Sequence, residues 1–316
     1  MPWLIPQSIA PAADAYLQRF IAELAEQLDD PSQDRNHVVR ETLAQLLHGR
    51  SYARLEAESP LAALALDPRH IILEAEHYIA TDQARFQRVK PLLWLWKCLD
   101  SSPLGQSLAS GIPLRRMLAA RIFAKTGRNL KIFQNVEVSV GYNIEVGDDV
   151  VIHRNVLIDD IGGVKIGDGA SISDYANIYS HTHDIRYAED VTLKETVIGR
   201  GVRVAYHATV LAGSILSDDS MLGAFALATR DIEPHVVSIG IPAKPRIWKE
   251  RSGDPEFANL AVDSRYYPRR LDLRANPDYR SPEEQAIIDA EHARSSTTEE
   301  ADSEAGQPRN AEPCEC

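Results

Sequence analysis

The chain has 316 residues with ordinary apolar (44%) and charged (25%) fractions, enough for one large core or two smaller ones. Its net charge of −12 is concentrated at one end: residues 281–316 hold ten acidic and two basic side chains, a balance of −8, leaving −4 for the rest. That argues against a general affinity for nucleic acid. Three cysteines (Cys98, Cys314, Cys316) make no disulfide framework and point to the cytoplasm, and no apolar run approaches the ~20 residues of a bilayer span.

The N-terminus, MPWLIPQSIAP, lacks the basic start and apolar stretch of a secretion signal. Residues 1–130 are expected to form a helical region. Leu17, Phe20, Ile21, Leu24 and Leu28 share one helical stripe across residues 12–28. Val39, Leu43 and Leu46 do the same within 37–47. A third helix is expected from about His70 to Arg88, ended by Pro91. A fourth runs over 114–125, with Gly127 as its C-terminal cap. The run Pro91-Leu-Leu-Trp-Leu-Trp96 could meet a membrane or an acyl chain, but packing against its neighbours is the favoured expectation.

From Val140 the pattern changes. Val140, Val146, Ile152 and Ile158 stand six residues apart; after a slip through Gly162-Gly163 the series resumes at Ile166, Ile172 and Ile178. It resumes again at Ile198, Val204, Val210, Leu216, Leu222 and Ala228. A period of six suits neither a helix nor an ordinary strand. It suits a triangular solenoid, a left-handed parallel β-helix, in which each hexapeptide supplies one strand and one corner and points its aliphatic residue inward. The expected domain is 131–249, mainly β. Residues 184–197 break the repeat and should project as a loop. Residues 231–249, with Pro234, Pro242 and Pro245, should leave the solenoid as an extended segment. Residues 250–280 read as an irregular arm. Residues 281–316 read as a short helix, opened by Ser281-Pro282-Glu283-Glu284, and an acidic disordered tail.

Chemistry is expected at Tyr179-Ser180-His181-Thr182-His183-Asp184, the last repeat before the loop. An imidazole at such a corner faces solvent or a neighbouring subunit, and with a pKa near ~6.5 it can take a proton at neutral pH. A solvated surface histidine is the plainer alternative.

Together with the repeats, Ser180-His-Thr-His183-Asp and the closing run Leu222-Gly-Ala…Ala228-Thr-Arg-Asp231…Gly240-Ile-Pro-Ala243 resemble the maltose and galactoside O-acetyltransferases and related polysaccharide acetyltransferases. The resemblance covers about 140–249. It implies a cytoplasmic homotrimer that binds acetyl-CoA between adjacent β-helices and carries the acetyl group to a sugar or glycan hydroxyl, with no metal. The family's base falls on His183, with His181 as the other candidate and Asp184 beside them. Acceptor contacts would map to His153, Asn155, Asp160 and Tyr206, and an oxyanion-stabilising N–H to the Ala205-Tyr206 region. The donor groove would map to Ala205, Ala224, Phe225, Arg230, Lys244 and Arg246. His153 replaces the family's usual Asn, and Phe225 a small Gly beside the pantetheine channel. Two rivals remain: a γ-class carbonic-anhydrase-like metalloenzyme using His153, His181, His183 and His207, and a non-catalytic assembly subunit.

Overall fold

Apolar residues at helical spacing fold the N-terminal third into seven α-helices in the computed structural model, which describes residues 9–187 and 189–249. Helix α1 (Pro11–Asp29) buries Leu17, Leu24 and Leu28. Helix α2 (Arg35–His48) starts on the Asp34 carboxylate, which accepts the Asn36 N–H, and buries Val38, Val39, Leu43 and Ala44. The short helices α3 (Tyr52–Glu58) and α4 (Pro60–Leu66) follow and were not anticipated.

The third expected helix is displaced. Only 3₁₀ turns form over Pro68–His70 and Glu74–His77, and α5 (Gln83–Leu99) starts on the Asp82 side chain and continues through Pro91. The proline forfeits one backbone hydrogen bond. Burial outweighs that loss, because Leu92, Leu93, Leu95, Trp96 and Leu99 beyond it are each 2% exposed or less. The apolar run therefore packs inside, and the Trp96 indole N–H donates to the Val136 carbonyl at 2.7 Å. After α6 (Pro103–Gln106), helix α7 (Leu108–Ile122) begins earlier than expected and ends before Gly127. Gly127 is no helix cap. A Cβ on it would stand 2.2 Å from the Gly147 carbonyl carbon, so it is the point where the chain first meets the neighbouring coil.

Beyond Lys125, which bridges to Glu145, the chain winds into about five coils of a parallel β-solenoid. On one side Ile132, Ile152, Ile172, Val204 and Leu222 stack in register. On the second, Val138, Ile158, Ile178, Val210 and Ala228 do so, and on the third Val146, Ile166, Ile198 and Leu216. All thirteen positions of the expected series are buried. One of them is out of register. Val140 lies in a corner, and the stacked residues before Val146 are Val138 and Ile132. The cause is a second slip: residues 139–143 bulge under residues 159–163, and Asp160 accepts the N–H groups of Val140 (2.8 Å) and Asn143 (3.3 Å).

The interruption after His183 is a β-hairpin. His181–His183 pairs antiparallel with Val191–Leu193, and the chain rejoins the solenoid at Thr196–Ile198. Residues 231–249 do not leave the solenoid. Val236–Ile239 adds a parallel strand to Met221–Leu222, and Lys244–Trp248 folds back antiparallel on it. Pro245 sits on that last strand, where a missing N–H costs least and blunts the open edge. The expectations for residues 250–280, for the helix opened at Ser281 and for Cys314 and Cys316 lie outside the described residues.

Candidate active site

Strand parity places the first carboxylate. Ile158 points into the solenoid, so Asp159 points out, toward the corner from which the hairpin departs. One Asp159 oxygen accepts the backbone N–H groups of Ser180 (3.0 Å) and His181 (3.2 Å) and lies 2.6 Å from His181 Nδ1. A carboxylate can only accept, so Nδ1 carries the ring hydrogen and Nε2 of the neutral ring is left as an acceptor. The other oxygen accepts the Ser139 hydroxyl at 3.2 Å. The His181 ring stands edge-on to His183, with centroids 5.3 Å apart, and 6.3 Å from the ring of Tyr78.

A cavity of about 300 Å³ opens beside His181, between the segment preceding α5 and the second side of the solenoid. Ile72, Leu93, Tyr78, Tyr179, Asp159 and His181 form much of its wall. The Tyr78 hydroxyl donates to Glu74 at 2.5 Å, and that carboxylate pushes the phenol up to about 12. Tyr78 therefore stays a neutral donor across the physiological range.

Other expected site residues divide. His183 and Asp184 are exposed on the hairpin. Asp184 accepts the N–H groups of Arg186 (2.7 Å) and Tyr187 (3.0 Å), which hold its carboxyl below the usual range and shape the turn. Asp160, expected against the acceptor, is instead wholly enclosed, and burial pushes its carboxyl up to about 6. The outward carboxylate is Asp159, which sequence reasoning missed although the alternation from Ile158 signals it. His153 is half-buried and stacked on Phe133 at 4.9 Å, and desolvation lowers its pKa, so it remains neutral. His207 lies in a different column of rings. Among the described residues no group of three or more His, Cys, Asp or Glu side chains is placed to hold a metal ion.

That column occupies the corner between the first and second sides. Asn135, Asn155, Tyr175, His207 and Phe225 stand there one coil apart, all in left-handed backbone with φ of 56–61°. The rings of Tyr175, His207 and Phe225 stack at 4.8 and 4.7 Å, each pair within 3° of parallel. These distances match the coil spacing, as a ladder of equivalent positions requires. Tyr206 packs edge-on to Phe225 at 5.3 Å, and both are about half exposed. Ala205 and Ala224 lie directly beside this ridge in sequence. Arg230, Lys244 and Arg246 are exposed near the solenoid's C-terminal end.

No family model matches the chain. The galactoside O-acetyltransferase of Escherichia coli K12 is 30% identical over 160 residues, spanning 49% of this chain and 79% of that enzyme. Among solved structures, a maltose O-acetyltransferase from Clostridium difficile 630 is 22% identical at a TM-score of 0.48, over 57% of this chain and 99% of the other. A galactoside acetyltransferase in complex with coenzyme A is 23% identical at 0.44, over 54% and 86%.

Proposed function

Because the chain belongs to the hexapeptide-repeat O-acetyltransferase family represented by the galactoside enzyme, we propose that it moves an acetyl group from acetyl-CoA to a hydroxyl of a sugar or glycan-like acceptor. His183 is the base. It takes the acceptor's hydroxyl proton, the oxygen attacks the thioester carbonyl, and a backbone N–H near Tyr206 steadies the oxyanion. Collapse expels the CoA thiolate, which takes up the proton, and both substrates are present together. His181, tied to Asp159, holds its edge against His183 and forms the inner wall of the acceptor cavity. Tyr78 and Tyr179 offer faces and hydroxyls to a sugar ring. The donor runs along the ridge at Ala205, Ala224 and Phe225, with Arg230, Lys244 and Arg246 toward its phosphates.

The observation that supports this reading is His181 in the wall of a cavity with mixed aromatic and carboxylate walls, with the His183 ring edge-on to it at 5.3 Å. A homotrimer in the cytoplasm accompanies it. The hairpin leaves Ile185, Tyr187, Val191 and Leu193 exposed, an apolar edge that a neighbouring subunit would cover. The division into a helical region to residue 130 and an acyltransferase domain to 249 follows the same proposal.

The test is free-thiol release from acetyl-CoA over a panel of sugars, amino sugars and nucleotide sugars. His183→Ala is expected to lower kcat/KM by about 10²–10⁴-fold, and His181→Ala by about tenfold or less. The reverse order would transfer the base role to His181. Failure of the parent chain to bind CoA would favour the assembly-subunit reading.

A further inference from the structure

A second cavity of about 480 Å³ adjoins the first along the groove between α5 and the solenoid, and the two share Lys97, Glu137 and Leu157 as walls. Their chemistry differs. The first is partly apolar and holds the histidine end. Around the second stand the polar side chains of Lys97, Asp100, Ser101, Asn135, Glu137 and Asn155, with Val136, Val156 and Leu157 between them. Lys97 and Glu137 form an ion pair of 3.2 Å across the shared wall, with side chains 36% and 63% exposed. So exposed a pair is weak, and it can exchange its partner for a ligand hydroxyl at small cost.

Both cavities have volume to fill. At ~30 Å³ per water, the first holds about ten waters and the second about sixteen, so each accommodates a sugar ring and together they fall within the range of ligand sites. The amides at the far end are not dictated by the backbone. Asn135 and Asn155 share their left-handed corner with Tyr175, His207 and Phe225, which adopt the same φ with rings in place of amides. The column carries hydrogen-bonding groups where it borders the cavity and aromatic rings where it does not. Asp100 also fixes this end, accepting the Asn135 N–H at 2.8 Å while paired with the buried Arg115.

We propose that the acceptor is an elongated polyhydroxyl chain of at least two linked sugar rings, one ring bound beside the histidines and the next in the amide-lined second cavity past Lys97 and Glu137. This rests on the acyl-transfer reading for the identity of the first cavity, but its test does not need turnover. The full chain, without donor, is titrated calorimetrically with mono-, di- and trisaccharides of glucose, galactose and N-acetylglucosamine. Asn135→Gly and Ser101→Ala remove second-cavity groups, and glycine keeps the left-handed backbone of residue 135 free of strain. For at least one sugar series, affinity is expected to rise about tenfold or more from one ring to two, with that gain lost in the doubly substituted chain. Equal affinity at every length, loss of affinity for one ring as much as for two, or no sugar binding at all overturns the proposal. Length-dependent binding without acetyl transfer would instead remove the catalytic reading and leave the two-ring groove standing.

Discussion

Phe225 is a residue whose backbone and side chain pull in opposite directions. At φ 56° a phenylalanine is strained relative to glycine by about 1–2 kcal/mol, and its ring is 57% exposed, so burial offers little in return. Stacking on His207 recovers about 0.5–1.5 kcal/mol. The two effects nearly cancel, so stability alone gives no reason for the ring. On the proposed donor path it lies against the pantetheine arm, and Phe225→Gly should leave the unfolding free energy within about 1 kcal/mol of wild type. The same change should raise KM for acetyl-CoA about threefold or more, one stacking contact's worth. Initial-rate measurements at varied donor concentration decide this: an unchanged donor KM means the ring faces something else. His181 differs in kind. Its tautomer is set by Asp159, so Asp159→Asn would disturb the orientation of the ring as well as the stretch of cavity wall that Asp159 itself forms.

At the scale of elements, the coils are governed by how closely their corners approach. Gly127 and Gly169 make the contrast. A Cβ at Gly127 would collide with the Gly147 carbonyl, whereas at Gly169 it meets open space and only the left-handed φ of 66° opposes it. Gly169→Ala should therefore cost about 1–2 kcal/mol. Gly127→Ala should cost more, because the coils must separate or the first turn must detach. Urea midpoints for both variants check the order, and equal losses would show that the first coil yields freely. The same approach explains what could be read in advance. Inward aliphatics recur whatever lies outside them, so the three-sided stack was legible from Val146 to Ala228. The twin bulge at 139–143 was not, because two added residues in consecutive coils place Val140 in apparent phase with Val146. Pro91 misled for another reason. A local stop signal was outweighed by Leu92, Leu93, Leu95 and Trp96 packing against surfaces distant in sequence. In the site, His181 and His183 were marked by the break in the repeat. The cavity's other wall, Ile72 and Tyr78 with Lys97 beyond, depends on helix-to-solenoid docking that no short-range pattern encodes.

Taken whole, the helical region and the solenoid share one interior, and their seam is polar as well as apolar. Trp96 bonds the Val136 carbonyl, Arg116 that of Leu130 (2.8 Å), and Arg85 that of Tyr142 (2.8 Å), while the Tyr142 hydroxyl accepts the Asp82 N–H at 2.9 Å. Asp160 sits beneath this seam. It holds the 139–143 bulge that α5 grips from above, so its protonation should be felt in the cooperative unfolding of both parts. Burial raises its folded pKa to about 6 from an ordinary 3.8. Between those values the native state binds the proton and the unfolded state does not. The stability tied to the protonated carboxyl is thus complete below about pH 4, falls as pH rises, and is gone above about pH 6. Roughly two units correspond to about 3 kcal/mol. Asp67 acts oppositely. Its ion pairs with Arg69 and Arg40 hold its carboxyl well below the usual range, so its contribution is present above about pH 4 and lost on acidification. Asp160→Asn isolates the first effect. Urea unfolding at pH steps from 4 to 7.5 should show the wild type losing its advantage over the variant by about 3 kcal/mol across pH 4–6, then a constant difference. Parallel stability curves over that interval would mean that the carboxylate is already charged in the folded chain and that the backbone N–H groups of Val140, Gly141 and Asn143, not its proton, satisfy it.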